Sequence, residues 1–230
     1  MGLAQLGRAL GLGPRGRRFE SCNPHHHTRI AMHKILKQHG IQVYLAYLFA
    51  KWAHRKQKRK YTGAPYIEHP VEVMHLVASV PHSKDMLVTA LLHDTVEDCG
   101  VSYETIRLLF GYQVEQMVWY LTDPPKSKLL NRAARKAGDR WRLSLSDADT
   151  QTVKLADLIS NTKTIKDHDP DFAKVYLKEK AELLAVMKNG NPKLYKLALE
   201  HSCTDTVFQS VCLSSKLTPT TKQKQKQKNC

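Results

Sequence analysis

No stretch of this chain is apolar for long enough to cross a bilayer. The most hydrophobic run, Ile41 to Ala53, is interrupted by Lys51 and reads as a buried helix. No secretory h-region opens the sequence. Cysteine is sparse and unpatterned: Cys22, Cys99, Cys203, Cys212 and Cys230 are odd in number, far apart and form no C-x-x-C pair. That argues against a disulfide framework or a zinc knuckle and for a reducing compartment, the cytosol. Neither a strand-like alternation nor an internal repeat is present. Acid is also scarce, 21 Asp and Glu against 36 Lys and Arg, and the resulting charge of +15 suggests at first a nucleic-acid partner. The excess lies mainly at the ends. Five arginines against Glu20 give residues 1–31 a charge of +4, and five unopposed lysines give residues 214–230 a charge of +5, so 32–213 keep +6. A mildly basic middle suits a small anionic ligand, and nucleic acid is not expected as a partner.

What is present is helix-forming sequence with enough apolar content, 42%, to build a core. A first helix is expected from Ile30 or Met32 to Lys56, with a break near Gly40. The basic loop Lys58-Arg59-Lys60-Tyr61-Thr62-Gly63-Ala64-Pro65 follows, its Gly and Pro marking irregular backbone. His69-Pro70 opens the next helix, which would put His69 at the N-cap, a position that His fills poorly. A helix over about Lys84 to Asp98 ends at Gly100. Ser102 caps a short helix to Phe110, another runs to Leu121, and 126–148 is an Arg-rich helix or long loop. Helices at about 150–166, 170–188 and 192–202 complete a domain spanning 32–203, and 204–230 decay into a disordered Lys/Gln-rich tail.

Two constellations carry chemistry. His93-Asp94 follows the apolar run Met86 to Leu92, where an adjacent ionisable pair is costly unless compensated, and a bound cation is the natural compensation. Imidazole nitrogen with carboxylate oxygen suits Mn, Fe, Co or Zn better than Ca. Glu97 and Asp98 come one helical turn later, at i+4. The second constellation is Asp157, Asn161 and Thr164, at i, i+4 and i+7, a polar seam on a helix whose other faces are apolar.

Three ordered motifs within about 42–166 resemble the HD-superfamily hydrolase domain of the Rel/Spo stringent-response enzymes, in its stand-alone form. They are Tyr-Thr-Gly-Ala-Pro-Tyr-Ile-Glu-His-Pro (61–70), Ala-Leu-Leu-His-Asp-Thr-Val-Glu-Asp (90–98) and Val-Lys-Leu-Ala-Asp-Leu-Ile-Ser-Asn-Thr (153–162). The resemblance implies an all-α fold, an HD-domain helical bundle. It further implies a divalent metal, usually Mn2+, on His69, His93, Asp94 and Asp157, and water activation or orientation by Glu97 and Asp98. Arg59 would stack on a guanine base and Lys60 would lie near phosphate, with Asn161 and Thr164 contacting the sugar or phosphate side. The implied reaction removes pyrophosphate from the 3′ position of guanosine tetra- or pentaphosphate, (p)ppGpp. Other members of the superfamily cleave nucleoside monophosphates, and a metazoan relative is credited with NADPH phosphatase activity. A silent nucleotide-binding protein is the third reading, against which the Glu97-Asp98 pair speaks. This chain departs from the family at Leu158, where Arg or Lys is usual, and over 126–148.

Residues 1–31 show no apolar period and contribute no motif. Phe19-Glu20-Ser21 can be written as the T-arm of a tRNA gene, TTC-GAA-TCC, and Leu3 to Ala9 as its D-arm, in the right order and at about the right spacing. We read the segment as a disordered, spurious extension, with translation starting near Met32. The run His25-His26-His27 is then no metal site. A chain beginning at Met32 should match the full one in metal content, rate and melting temperature. A shortened chain that fails to fold, or codons over 3–23 that cannot pair as tRNA arms, would refute this.

Overall fold

In a computed structural model, residues 40–123 and 131–202 are described. The proposed extension 1–31, the start of the first helix before Gly40 and the tail 204–230 lie outside them. The described residues are helical: α1 Ile41–Ala53, α2 Glu68–Ala78, α3 Lys84–Leu92, α4 Thr95–Cys99, α5 Tyr103–Phe110, α6 Tyr112–Leu121, α7 Arg132–Ser144, α8 Ala148–His168, α9 Pro170–Val186 and α10 Pro192–Ser202. The all-α expectation holds. Among these residues no helix is long and apolar enough to cross a membrane.

Local chemistry sets most of the boundaries. Ser83, Ser102, Asn131, Asp147 and Asp169 each accept a hydrogen bond from a backbone N–H in the first turn of the helix that follows. α4 ends at Gly100, whose φ of 68° is the left-handed conformation that glycine adopts without strain. The loop 58–65 is irregular, as its Gly and Pro foretell, yet closed. Lys58 bridges to Pro65, Arg59 N–H donates to Ala64 O over 2.9 Å, and Gly63, with φ of 68°, turns its N–H back to Arg59 O.

The core is organised around α3. Every residue from Met86 to Leu92 is buried, and the helix is surrounded by α1, α2, α6 and α8. A helix apolar on all sides is stable only when enclosed in this way. The second organiser is α8, 21 residues long, which packs on α2, α3, α6, α9 and α10.

Two expectations are corrected. The helix foreseen over Lys84 to Asp98 is interrupted at His93-Asp94, and α4 is a separate short helix. Asp94, at φ −93° and ψ −5°, relaxes the helical path, although Asp98 N–H still reaches Asp94 O at 2.9 Å. His69 is not an N-cap. Ile67 holds that position, and His69 sits in the first turn of α2, where its imidazole turns inward and is buried. The uncertain segment before α8 contains a helix, Arg132–Ser144.

Gly190 fixes the turn between α9 and α10 against α8. A Cβ there would stand 2.7 Å from Leu155 Cδ1 and 3.3 Å from the Gln151 backbone. The adjoining amides of Asn189 and Asn191 donate to Gln151 Oε1 at 3.0 Å and Thr152 Oγ1 at 2.9 Å. Gly190→Ala should therefore destabilise the fold by about 1–3 kcal/mol, the usual range for overpacking. Gly138→Ala, in open space inside α7, should be neutral or stabilising by up to about 1 kcal/mol. Thermal melts of both variants check this, and a Gly190→Ala protein that melts like the parent would refute the close approach.

Candidate metal centre

Three segments bring four ionisable groups together inside the bundle: α2 with His69, the turn after α3 with His93 and Asp94, and the middle of α8 with Asp157. His69 Nε2 lies 3.2 Å from Asp157 Oδ1 and 3.6 Å from Asp94 Oδ2. His93 Nε2 lies 3.1 Å from Asp94 Oδ2 and 3.8 Å from Asp157 Oδ1. His69, His93 and Asp157 are buried and Asp94 is half-buried.

The far nitrogens of both rings are committed to the protein. His93 Nδ1 is 2.9 Å from the carbonyl of Ala90, which can only accept, so Nδ1 carries the proton. His69 Nδ1 is 2.9 Å from Ser160 Oγ, whose own proton goes to Glu72 Oε2 at 2.7 Å. A carboxylate only accepts, so Ser160 must accept from His69. When neutral, both rings thus present a bare Nε2 to the cluster, the arrangement that outer partners impose on metal-ligating histidines. His93 Nε2 is buried and has no hydrogen-bond partner, its approach to Asp94 being an ionic contact. One ligand atom each from His69, His93 and Asp94 lie within 4.8 Å of one another, and Asp157 stands beside both rings. This N/O donor set fits a divalent cation.

The electrostatics show the same need for positive charge. Burial alone would lower the His93 imidazolium, yet Asp94 and Asp157 outweigh it and raise its pKa to about 10. Burial would raise the Asp94 carboxyl, but His93 and His69 hold it well below the usual carboxylate range. Asp157 is likewise held down against burial, first by Lys154, whose Nζ is 3.0 Å from Asp157 Oδ2, and then by the two histidines. Asn161 donates to Asp157 Oδ1 at 2.6 Å, and Tyr66 donates to Asp94 Oδ2 at 2.7 Å. Burial and Asp94 both push the Tyr66 phenol up, so it stays a donor.

Glu97 and Asp98 diverge. Glu97 Oε2 accepts from the Asp123 N–H at 3.1 Å, and burial, then Asp123, raises its carboxyl pKa. Asp98 Oδ2 accepts from Gln57 Nε2 at 2.9 Å, and Gln57 Oε1 is 2.6 Å from Nδ1 of the buried His54. Arg59 reaches α8 from the 58–65 loop, with its guanidinium 3.5 Å from Asn161 Oδ1 and 3.1 Å from Thr164 Oγ1, beside the Tyr66 ring. Lys60 does not join this group. It is exposed, with its ammonium on Tyr61 at 3.2 Å and Asp169 at 3.8 Å.

A cavity opens from the cluster at Asp94 and Asp157, and a second adjoins it. One, about 210 Å³, is lined by Asp94, Glu97, Lys154, Asp157, Asn161, Tyr176 and Lys180 among others. A larger cleft of about 750 Å³ runs between Glu97, Asp98 and α7, where Arg132, Arg135, Lys136 and Arg142 face Tyr103 and Trp119. Glu97 and Asp123 line both. Sequence reasoning missed Tyr66, Glu72, Lys154 and Ser160. Lys154 and Ser160 lie inside the third motif, at i−3 and i+3 from Asp157, a spacing that could have marked them. Glu72 had no such signal. Leu158, where the resemblance leads one to expect a cation, is buried in the wall of the smaller cavity.

Comparison with known proteins identifies the family and the fold. The HD domain family profile matches residues 46–189. The chain is 35% identical over 148 residues to a guanosine-3′,5′-bis(diphosphate) 3′-pyrophosphohydrolase of Aquifex aeolicus, covering 64% of this chain and 21% of that protein. It is 30% identical over 163 residues to the bifunctional (p)ppGpp synthase/hydrolase SpoT of Escherichia coli, covering 70% and 22%. The chain therefore spans only about a fifth of the length of these relatives. Among solved structures, a metazoan ortholog of SpoT that hydrolyses ppGpp superposes with a TM-score of 0.63 at 26% identity, covering 70% of this chain and 94% of that one. A Listeria monocytogenes structure, at 23% identity and a TM-score of 0.52, shares the fold.

The Ser160 hydroxyl is the test of ring orientation. Ser160→Ala keeps all four inward groups but frees the His69 ring, and should weaken divalent-cation affinity by about 10- to 100-fold, the usual effect of losing such a partner. Titration with Mn2+ followed by calorimetry checks it. Unchanged affinity would remove the relay through Ser160 and Glu72 from the account.

Proposed function

Because the chain belongs to the HD domain family, we propose that it is a metal-dependent phosphohydrolase that removes the 3′-pyrophosphate of (p)ppGpp in the cytosol, with Mn2+ as its cation. The observation that carries the reading is the joint placement of two sites on α8. Asp157 enters the His69, His93 and Asp94 cluster, and one and two turns on, Asn161 and Thr164 hold Arg59.

His69, His93, Asp94 and Asp157 would hold the cation. When bound, it supplies a water of lowered pKa and a polarised phosphoryl oxygen. The remaining work falls to side chains. Glu97, with its raised carboxyl pKa, is suited to take a proton from the attacking water and return it to the leaving oxygen. Asp98, oriented by Gln57, helps to position that water. Lys154 stays an ammonium: burial would lower its pKa, but Asp157 and Asp123 raise it, so positive charge lines the smaller cavity where phosphate is expected. Arg59 offers a flat guanidinium for stacking on guanine while Asn161 and Thr164 fix its plane. Lys60, on the same loop, stays outside with Tyr61 and Asp169 and adds only long-range positive charge.

The decisive experiment incubates the Mn2+-loaded protein with ppGpp, pppGpp, nucleoside monophosphates and NADPH and identifies the products. We expect pyrophosphate from the first two. Orthophosphate from NADPH or a monophosphate alone would move the chain to another HD phosphatase activity, and binding without turnover would make it a silent nucleotide binder. Glu97→Gln should keep metal and nucleotide affinity and lose at least about 100-fold in rate, in the range for positioned acid–base groups. Asp94→Ala should lose the metal. A Glu97→Gln protein of full rate would shift proton transfer to another group.

A further inference from the structure

The face of α1 turned away from the core carries a continuous apolar stripe. Ile41, Leu45, Leu48 and Trp52 are 68%, 51%, 42% and 58% exposed, whereas Val43, Ala46 and Ala50 are buried. At 3.6 residues per turn the exposed four fall within about 60° of one another, roughly opposite the buried three. Their spacing of four, three and four residues is the seam of a paired helix. Single exposed apolar residues are ordinary, but an aligned row over three turns marks a contact surface. None of the four lines either cavity of the metal centre.

We propose that this stripe is the interface of a homodimer in which α1 lies antiparallel on α1 of a second copy. The stripe is self-complementary: a two-fold axis between Ala46 and Tyr47 sets Leu45 against the partner's Leu48 and Ile41 against the partner's Trp52, as an isologous contact requires. Charge selects the direction. Lys51, Arg55 and Lys56 crowd the C-terminal end of α1, Arg55 stacking on Trp52 at 4.7 Å, and α1 contains no acid. A parallel pair would gather both sets of cations at one end. The antiparallel pair separates them and opposes the helix dipoles. The four side chains offer on the order of 400 Å² per copy, about half of the ~800 Å² of a standard interface, so the dimer is weak and concentration-dependent.

Sedimentation of the full chain from roughly 1 to 200 µM, the range of weak interfaces, is the test. We expect a monomer–dimer equilibrium. Leu45→Glu with Leu48→Glu should abolish it, leaving the helical circular dichroism and the hydrolysis rate per chain unchanged. Tyr44→Glu should tighten it several-fold, because the antiparallel pairing brings position 44 beside the partner's Lys51. A monomer at every concentration would overturn the proposal, as would a dimer that survives the double glutamate. Weakening by Tyr44→Glu would overturn the antiparallel direction. A monomer whose double-glutamate variant melts lower would assign the stripe to a preceding segment of the same chain, residues 32–39, instead.

Discussion

The physical constraint on which this molecule turns is the cost of gathering two carboxylates and two imidazoles in the interior, three of them buried and Asp94 half-buried. Unpaired, each such charge would cost several kcal/mol. The surrounding structure supplies compensation from every side: Lys154 and Asn161 on Asp157, Tyr66 on Asp94, the Ala90 carbonyl on His93, and Ser160 with Glu72 behind His69. Within the cluster itself His93 Nε2 has no hydrogen-bond partner, only its ionic contact with Asp94. That nitrogen, turned towards two carboxylates and a second imidazole, makes the cluster a fit for a divalent cation.

The same need explains the fold around the cluster. α3 is enclosed on all sides, so the two residues at its end arrive in the interior by default, and the backbone relaxes there before α4 begins. α8 supplies Asp157, Ser160, Asn161 and Thr164 from one continuous helix, so the candidate metal centre and the Arg59 clamp share a rigid frame. The turn pressed against α8 at Gly190 steadies that frame from behind.

The cleft is built differently on its outer wall. α7 buries only Asp139 and Leu143, and joins α9 through Arg132–Glu179 at 2.6 Å and Arg140–Glu182 at 2.7 Å. Partly exposed ion pairs of this kind contribute at most about 1 kcal/mol each. Lys136 is shared between Asp123 and Asp139 at 2.7 and 2.9 Å. The wall that faces Glu97 and Asp98 is therefore held more by charge than by apolar burial.

By itself, the sequence determined the helical class, most helix ends and the His93-Asp94 pair, whereas His69 and Asp157 entered the cluster only through the family resemblance. The helical class, the helix ends and that pair depend on short-range causes: capping side chains, Gly100 after α4, and an ionisable pair set behind a buried run of six apolar residues and Thr89. It also indicated that Asp157, Asn161 and Thr164 share one face, since that follows from helical period alone. Tertiary structure decided the rest. The break at His93-Asp94, the inward turn of His69 and the role of Glu72 all depend on groups up to 91 residues away in sequence, as in the His69–Ser160 pair. The separation of Lys60 from the site and the burial of Leu158 have the same origin. Periodicity says which residues share a face, but the surface that face meets is set by long-range packing, and a hydrogen bond or ion pair exists only once that packing has brought both partners within reach.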